Sequence, residues 1–229
     1  MKIYTLYSES HKVLFDDWFY PSLTQTNPDL TLITKVSDQF CSSGNYMEKG
    51  WKETMVEKDN YIIQSLEESN IGDIIIHSDV DVQFFKNIKQ NINLDIFDHI
   101  DIACQSDGPS YACFGFMIMK NTIKLQNMFK QILKIINDQN DNSIDHINDQ
   151  RLMNEIYPQY DINLGLLNYK YFSNWMTQNL LNSKMIYNDF NPVDQENIPS
   201  NLILHHANYV IGVQAKIDLM KKIKKYQNL

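Results

Sequence analysis

The stretch Ile74-Ile75-Ile76-His77-Ser78-Asp79-Val80-Asp81-Val82 decides how this chain is read. Isoleucine is β-branched, and an unbroken run of it suits a strand buried on both faces. The run ends in two carboxylates spaced i, i+2. Side chains alternate along an extended backbone, so Asp79 and Asp81 are expected on one side of the strand's end. Two close carboxylates repel each other unless a cation lies between them. A hard divalent ion that also meets phosphate oxygens is the usual cation. In an open α/β sheet, ligands bind at the carboxyl ends of strands. Asp is equally at home in solvated turns, so the pair needs support from elsewhere in the chain.

Working outward, residues 3–7 read as a first strand and residues 12–20 as a helix stopped by Pro21. Residues 30–36 read as a second strand. After a Gly/Ser loop at 41–45, residues 51–68 read as a long amphipathic helix that leads through Gly72 into the isoleucine run. This β-α-β-α-β order, with crossovers of that length, predicts an α/β fold with a mostly parallel central sheet flanked by helices. Beyond it, residues 84–91 read as a short helix and 100–105 as a strand. Residues 105–111 read as a turn-rich loop, and 114–119 as a strand containing one glycine. Residues 122–136 form a helix with apolar positions at Ile123, Met128, Phe129, Ile132, Leu133 and Ile136. Residues 149–157 form a short helix ended by Pro158, 202–206 a last strand and 213–226 a basic terminal helix. With no repeat and no flexible linker, one domain over 1–229 is expected. A nucleotide-binding half would run to about residue 82, and an acceptor-side half with the C-terminal helix would cover 83–229.

The chain has 229 residues, 43% hydrophobic and 21% charged, which fits a globular protein with a real core. Its formal net charge of −8 disfavours general nucleic-acid binding. Cys41, Cys104 and Cys113 form no close pair and are expected to be reduced, buried thiols. No apolar run approaches the roughly 20 residues of a membrane span, and the first residues do not look like a signal peptide. Read as a full-length protein, the chain is expected to be soluble and cytoplasmic.

A third partner for Asp79 and Asp81 is sought in Leu204-His205-His206-Ala207-Asn208-Tyr209-Val210-Ile211-Gly212-Val213-Gln214-Ala215-Lys216. A histidine at a strand end offers a neutral imidazole, which with carboxylates suits Mn²⁺ or a similar ion. Gly212 would let the backbone approach a phosphate, and Lys216 would neutralise diphosphate charge. Each alone has a plainer reading, a buried strand end and a solvated helix.

Together the pieces resemble a known family. Asp79-x-Asp81 looks like the DxD motif of GT-A glycosyltransferases. His206-x-Asn208-x-x-x-Gly212-x-x-x-Lys216 is similar to the C-terminal signature of the nucleotide-diphospho-sugar transferases. Lys58 lies on the helix before the DxD strand, where this group often places a basic residue facing the donor. Phe114-Gly115-Phe116 and Asn148-Asp149-Gln150 resemble two further pieces in the right order. The likeness spans residues 4 to about 220.

It implies a GT-A fold and a metal-dependent glycosyltransferase, a hexosyltransferase-like enzyme that moves a sugar from a nucleotide-diphosphate sugar, UDP-linked by default. Retention is the favoured stereochemical outcome, and the acceptor is a glycan, glycolipid or protein. Asp79, Asp81 and His206 would hold Mn²⁺ or Mg²⁺, His206 being favoured over His205 by the motif. Thr5 and Tyr7 would face base and ribose, and Lys58, Asp79, Gly115, Gly212 and Lys216 would bind the donor. At Gly115 a side chain would block the sugar. Asp149 or Gln150 would sit at the donor sugar or the reacting carbon, although Asp149 also suits a plain helix N-terminus. A nucleotidyltransferase is disfavoured because Tyr7-Ser8-Glu9-Ser10-His11-Lys12 lacks the glycines that cradle a triphosphate. A nucleotide-sugar-binding module without turnover is the remaining alternative. Tyr169, Tyr171, Phe172 and Trp175 are candidates for stacking on sugars, with core packing the commoner fate. Asp73, Asp101 and Asp107 read as surface or turn residues.

Overall fold

The computed structural model describes residues 1–43, 45, 48–108, 110–139, 148–168, 170–173 and 201–227. Tyr169 and Trp175, and most of the expected acceptor region at 161–199, lie outside them. For Tyr171 and Phe172 only the backbone is described.

The strands are β1 (Lys2–Tyr7), β2 (Thr31–Val36), β3 (Ile74–Ser78), β4 (Val82–Phe84), β5 (Ile102–Gly108), β6 (Tyr111–Lys120), β7 (Leu164–Leu166), β8 (Tyr171–Ser173) and β9 (Leu204–His206). The main helices are α1 (Lys12–Leu14), α2 (Tyr20–Thr26), α3 (Trp51–Glu67), α4 (Ile88–Asn91), α5 (Ile123–Asp138), α6 (Asp149–Ile156) and α7 (Val213–Tyr226). Six strands form a central sheet in the order β2-β1-β3-β6-β5-β7, and β4-β9-β8 form a small second sheet. The pairs β1–β2, β1–β3 and β5–β7 are parallel, while β6 is antiparallel to both β3 and β5.

Alternation along β3 and β6 sorts the core into two layers. Ile76, Phe116 and Ile118 face Phe19 of the first helical run, Leu204 of β9 and Leu219 of α7. Ile75, Met117 and Met119 face Ile62 and Leu66 of α3 and Phe129 and Ile132 of α5. Both sides of the isoleucine run are therefore covered, as a doubly buried strand requires. Burying one such side chain contributes about 1.5–3 kcal/mol. The apolar positions of α5 fall at the expected spacing, and the Thr122 side chain accepts a hydrogen bond from Leu125 N (3.2 Å), satisfying one of the free N–H groups at the helix start. Ile123, expected in that face, is the first residue of α5 and is exposed instead.

Three local expectations are corrected. Pro21 does not end a helix: Phe15–Phe19 form a wider, π-type turn in which Tyr20 N–H bonds to Phe15 O, and α2 continues with Pro21 in its first turn. Proline lacks the N–H that a continuous helix would pair, and its ring crowds the preceding turn; the wider turn over Phe15–Phe19, immediately before it, is where the run departs from α geometry. Phe84 ends a strand, β4, and the short helix starts later, at Ile88, where Asn87 caps it by accepting from Gln90 N (3.0 Å). Residues 105–108 are not loop but the outer half of β5. The β5–β6 ladder is irregular there. One step on β5, Cys104 to Gln105, spans Met117 to Cys113 on β6, and Asp107 is left over between Ser106 and Gly108. Such bulges re-aim side chains, and these two shape the site.

Candidate active site

β3 stops at Ser78, and Asp79 N–H then donates to Gly115 O on β6 (2.7 Å). Val80, buried against the core, anchors the short link to Asp81. β4 starts at once and pairs with β9, so that Val82 lies opposite His206. This ladder carries a histidine 125 positions downstream (206 minus 81) to the DxD turn. His206 Nε2 lies 3.2 Å from Asp81 Oδ1, and ligand atoms of Asp79, Asp81 and His206 lie within 4.8 Å of one another. His205 points the other way, where its Nδ1 accepts from the buried Gln83 Nε2 (3.2 Å).

Each carboxylate has its own lysine. Lys58 Nζ lies 2.9 Å from Asp79 Oδ1 and 3.9 Å from Asp149 Oδ2. Lys216 Nζ pairs with Asp81 Oδ2. Burial would lower the Lys58 pKa, but the Asp79 and Asp149 carboxylates outweigh it and hold the ammonium above its usual range. Burial would raise the Asp81 pKa, yet Lys216 and His206 hold it well below the carboxylate norm. Two carboxylates and an imidazole nitrogen, with lysines at hand for phosphate oxygens, are a donor set that fits a divalent cation bound with a diphosphate.

Gly115 sits beneath the imidazole. A Cβ there would lie 2.0 Å from His206 Cε1, so glycine is needed first to seat the histidine. The sequence suggests a glycine that clears space for sugar; the neighbour a side chain there would meet in the structure is the His206 ring. Gly212 has φ 93°, a conformation glycine adopts without strain, and caps the start of α7 one turn before Lys216. Thr5 is buried in β1, and its hydroxyl has no hydrogen-bond partner among the described residues. The Tyr7 ring stacks on Phe15 with centroids 4.4 Å apart.

Asp149 and Gln150 open α6. Asn148 caps that helix by accepting from Arg151 N (3.3 Å), and Asp149 Oδ1 accepts from Gln150 N (2.8 Å). Burial raises the Asp149 pKa against the opposing pull of Lys58. The Gln150 side chain is pinned, with Oε1 accepting from Phe114 N (3.0 Å) and Nε2 donating to Asp107 Oδ2 (3.1 Å). Asp107 also accepts from Asn208 Nδ2 (3.0 Å) and from the Tyr209 hydroxyl (3.3 Å). Tyr209 holds φ at 58°, a left-handed conformation that costs about 1–3 kcal/mol in a non-glycine residue. Asp107, read from sequence as a turn residue, is thus the buried junction between α6 and the turn after β9. Only its place as the extra residue of a bulge turns it inward.

Sequence reasoning also passed over His11 and Asp59. His11 is half-buried in the turn after β1; its pKa is lowered by burial and by Lys216, so it lies within electrostatic reach of the site. Its Nδ1 is 2.9 Å from Ser10 Oγ. Asp59 follows Lys58 on α3, is fully buried, and neither carboxylate oxygen has a hydrogen-bond partner among the described residues. Its pKa stands well above the carboxylate norm because of burial and the nearby Asp149 charge. The folded protein then holds a proton that the unfolded chain releases near pH 4. Stability therefore falls as pH rises from that point. Urea unfolding across pH 4–8 should show Asp59→Asn gaining stability relative to wild type as pH rises. A difference that is flat with pH would contradict the assignment.

A model of the nucleotide-diphospho-sugar transferase family matches residues 13–220. The chain belongs to that family and is a glycosyltransferase of GT-A fold. Among solved structures, it is similar to a glycosyltransferase involved in glycosylating the major capsid of PBCV-1, at 10% identity and TM-score 0.61, covering 97% of this chain and 98% of that one. It is also similar to the galactosyltransferase LgtC, solved with donor and acceptor sugar analogs, at 12% identity and TM-score 0.60, covering 100% and 95%. A third is the glycosyltransferase GlyE of Streptococcus pneumoniae TIGR4, at 12% identity and TM-score 0.59, of which this chain spans 60%. At these identities the likeness concerns fold. No curated protein matches the chain in sequence. Among the described residues no helix is long and apolar enough to cross a membrane.

Proposed function

We propose that the protein transfers a sugar from a nucleotide-diphosphate sugar, UDP-linked in the first instance, to a glycan, glycolipid or protein acceptor, with retention at the anomeric carbon. The observation that carries this reading is the convergence of Asp79, Asp81 and His206 from two separate strand ends, each carboxylate already paired with a lysine. Asp79, Asp81 and His206 would hold Mn²⁺ or Mg²⁺. A divalent ion there supplies Lewis-acid stabilisation of the departing diphosphate. Lys216 and the backbone at Gly212 add hydrogen-bond donors where that charge develops, and Lys58 is placed between Asp79 and Asp149 to hold the donor side. Residues 1–82 form the nucleotide-binding half, with Thr5 and Tyr7 toward base and ribose, and 83–229 the acceptor-side half of one domain. Asp149 and Gln150, fixed at the start of α6, position the donor sugar and its reacting carbon. Retention rests on the family resemblance. A cytoplasmic setting fits the three buried free thiols.

Thermal unfolding against nucleoside diphosphates and nucleotide sugars, with Mn²⁺ and with chelator, tests the reading. A ligand at about 100 times its Kd stabilises by about 2.7 kcal/mol, a rise in Tm of about 2–4 °C for a chain of this size. The expected result is a metal-dependent rise with uridine nucleotides. No rise with any nucleotide would refute the donor site.

A further inference from the structure

Gln150 is one of the two residues proposed to meet the donor sugar, and the orientation of its amide is fixed by its partners. A backbone N–H only donates, and Phe114 N gives its hydrogen to Gln150 Oε1 (3.0 Å). A carboxylate only accepts, and Asp107 Oδ2 takes the bond from Gln150 Nε2 (3.1 Å). Turned over, the amide would set N–H against N–H and oxygen against carboxylate. The bond to Phe114 alone would let the amide pivot about Oε1; the second bond, to Asp107, fixes its plane. Asp107 is buried, so this bond competes little with water. Its carboxylate is held in turn, with Oδ1 accepting from Asn208 Nδ2 (3.0 Å) and Oδ2 also accepting from the Tyr209 hydroxyl (3.3 Å).

Neither α6 nor the candidate cation ligands depend on Asp107 for their place. Asn154, one turn on from Gln150, donates to Ala112 O (2.9 Å) and to Gln150 O (2.8 Å) and accepts from Ala112 N (2.9 Å), which docks α6 on β6. His206 is held by the β4–β9 ladder, and Ala207 N–H beside it donates to Asp81 O (2.9 Å). Loss of the Asp107 carboxylate therefore releases the Gln150 amide and leaves both supports standing. We propose that Asp107 is a positioning residue for glycosyl transfer, which holds the Gln150 amide in one orientation toward the donor sugar. The proposal rests on reading Gln150 as a residue that meets that sugar.

Asp107→Ala and Asp107→Asn are compared with wild type. In the asparagine variant one oxygen replaces two, and an NH₂ group faces a donor. ¹H–¹⁵N NMR of the metal-free protein reads hydrogen exchange at the assigned Gln150 side-chain amide. Calorimetry with Mn²⁺ reads affinity for uridine diphosphate, and its release from UDP-glucose, UDP-galactose and UDP-N-acetylglucosamine reads turnover. The expected result is a protected Gln150 amide in wild type that exchanges at least about 10-fold faster in both variants. With it, kcat falls by about 10²-fold, the cost of a misplacement of about 1 Å, while the Kd for uridine diphosphate is unchanged. A Gln150 amide that exchanges freely in wild type would overturn the proposal even if neither variant folded. So would folded variants with unchanged kcat, or with a loss confined to uridine diphosphate affinity. Wild type that released uridine diphosphate from none of the three sugars would instead count against the donor reading, while the amide exchange would still decide whether Asp107 holds Gln150.

Discussion

Asp81→Asn is expected to lower kcat/KM for glycosyl transfer by about 10³-fold or more and to remove metal-dependent nucleotide binding. Asparagine keeps the volume and one oxygen acceptor, so β4 and its pairing with β9 should survive. What it removes is the charge that Lys216 and His206 both face. Lewis-acid stabilisation of a leaving group is worth several kcal/mol, and each 1.36 kcal/mol is tenfold in rate. The stability effect is separable. Asp81 is held ionised by its partners, so its pairing stabilises the fold above the usual carboxylate pKa and is lost as pH falls below it. The wild type should therefore lose its advantage over Asp81→Asn on acidification. Single-turnover kinetics with Mn²⁺ titration decides the matter. A variant with undiminished metal dependence would remove Asp81 from the site.

Gly115→Ala is expected to do comparable damage by a different route. The new methyl would overlap His206 Cε1 at 2.0 Å, and Nε2 and Nδ1 at 2.7 and 2.8 Å. Neither side yields easily, because Gly115 O accepts from Asp79 N and the ring is held at Nδ1 by Gln105. Overpacking of this kind costs about 1–3 kcal/mol, and if the ring swings away the cation loses a ligand. The discriminating measurement is a double-mutant cycle with His206→Ala. In that background the alanine at 115 should cost almost nothing in stability, because its clash partner is gone. A cost that persists without the imidazole would place the strain elsewhere. Weakened Mn²⁺ affinity in Gly115→Ala alone is the second expected outcome.

Much of the architecture was legible in the chain. The isoleucine run, its helical flanks and the parallel β1, β2 and β3 followed from side-chain pattern, because branched aliphatic residues and helical spacing report burial directly. The order of motifs pointed to the family, and the metal and donor residues were nominated from it. The antiparallel insertion of β6 was not legible, since strand direction within a sheet leaves little mark on a single strand's sequence. Nor were the two irregularities of the β5–β6 ladder, the first with its extra residues on β6 and the second with Asp107 extra on β5, which depend on a register shared by the two strands. Asp107 and Gln105 escaped notice for that reason: an aspartate in a Gly/Pro-rich stretch reads as a turn, and a glutamine carries no signal of its own.

The sequence by itself determined the class of fold, the pair of carboxylates and the histidine–glycine–lysine pattern, because these are properties of residue type and spacing. Tertiary structure brought His206, which the motif already favoured over His205, to the aspartates through the pairing of β4 with β9. It also decided that Gly115 seats a ring and that Asp107 locks α6 to the turn after β9. Those outcomes depend on contacts between residues scores of positions apart, and such contacts exist only once the two sheets have packed and fixed the register of their strands.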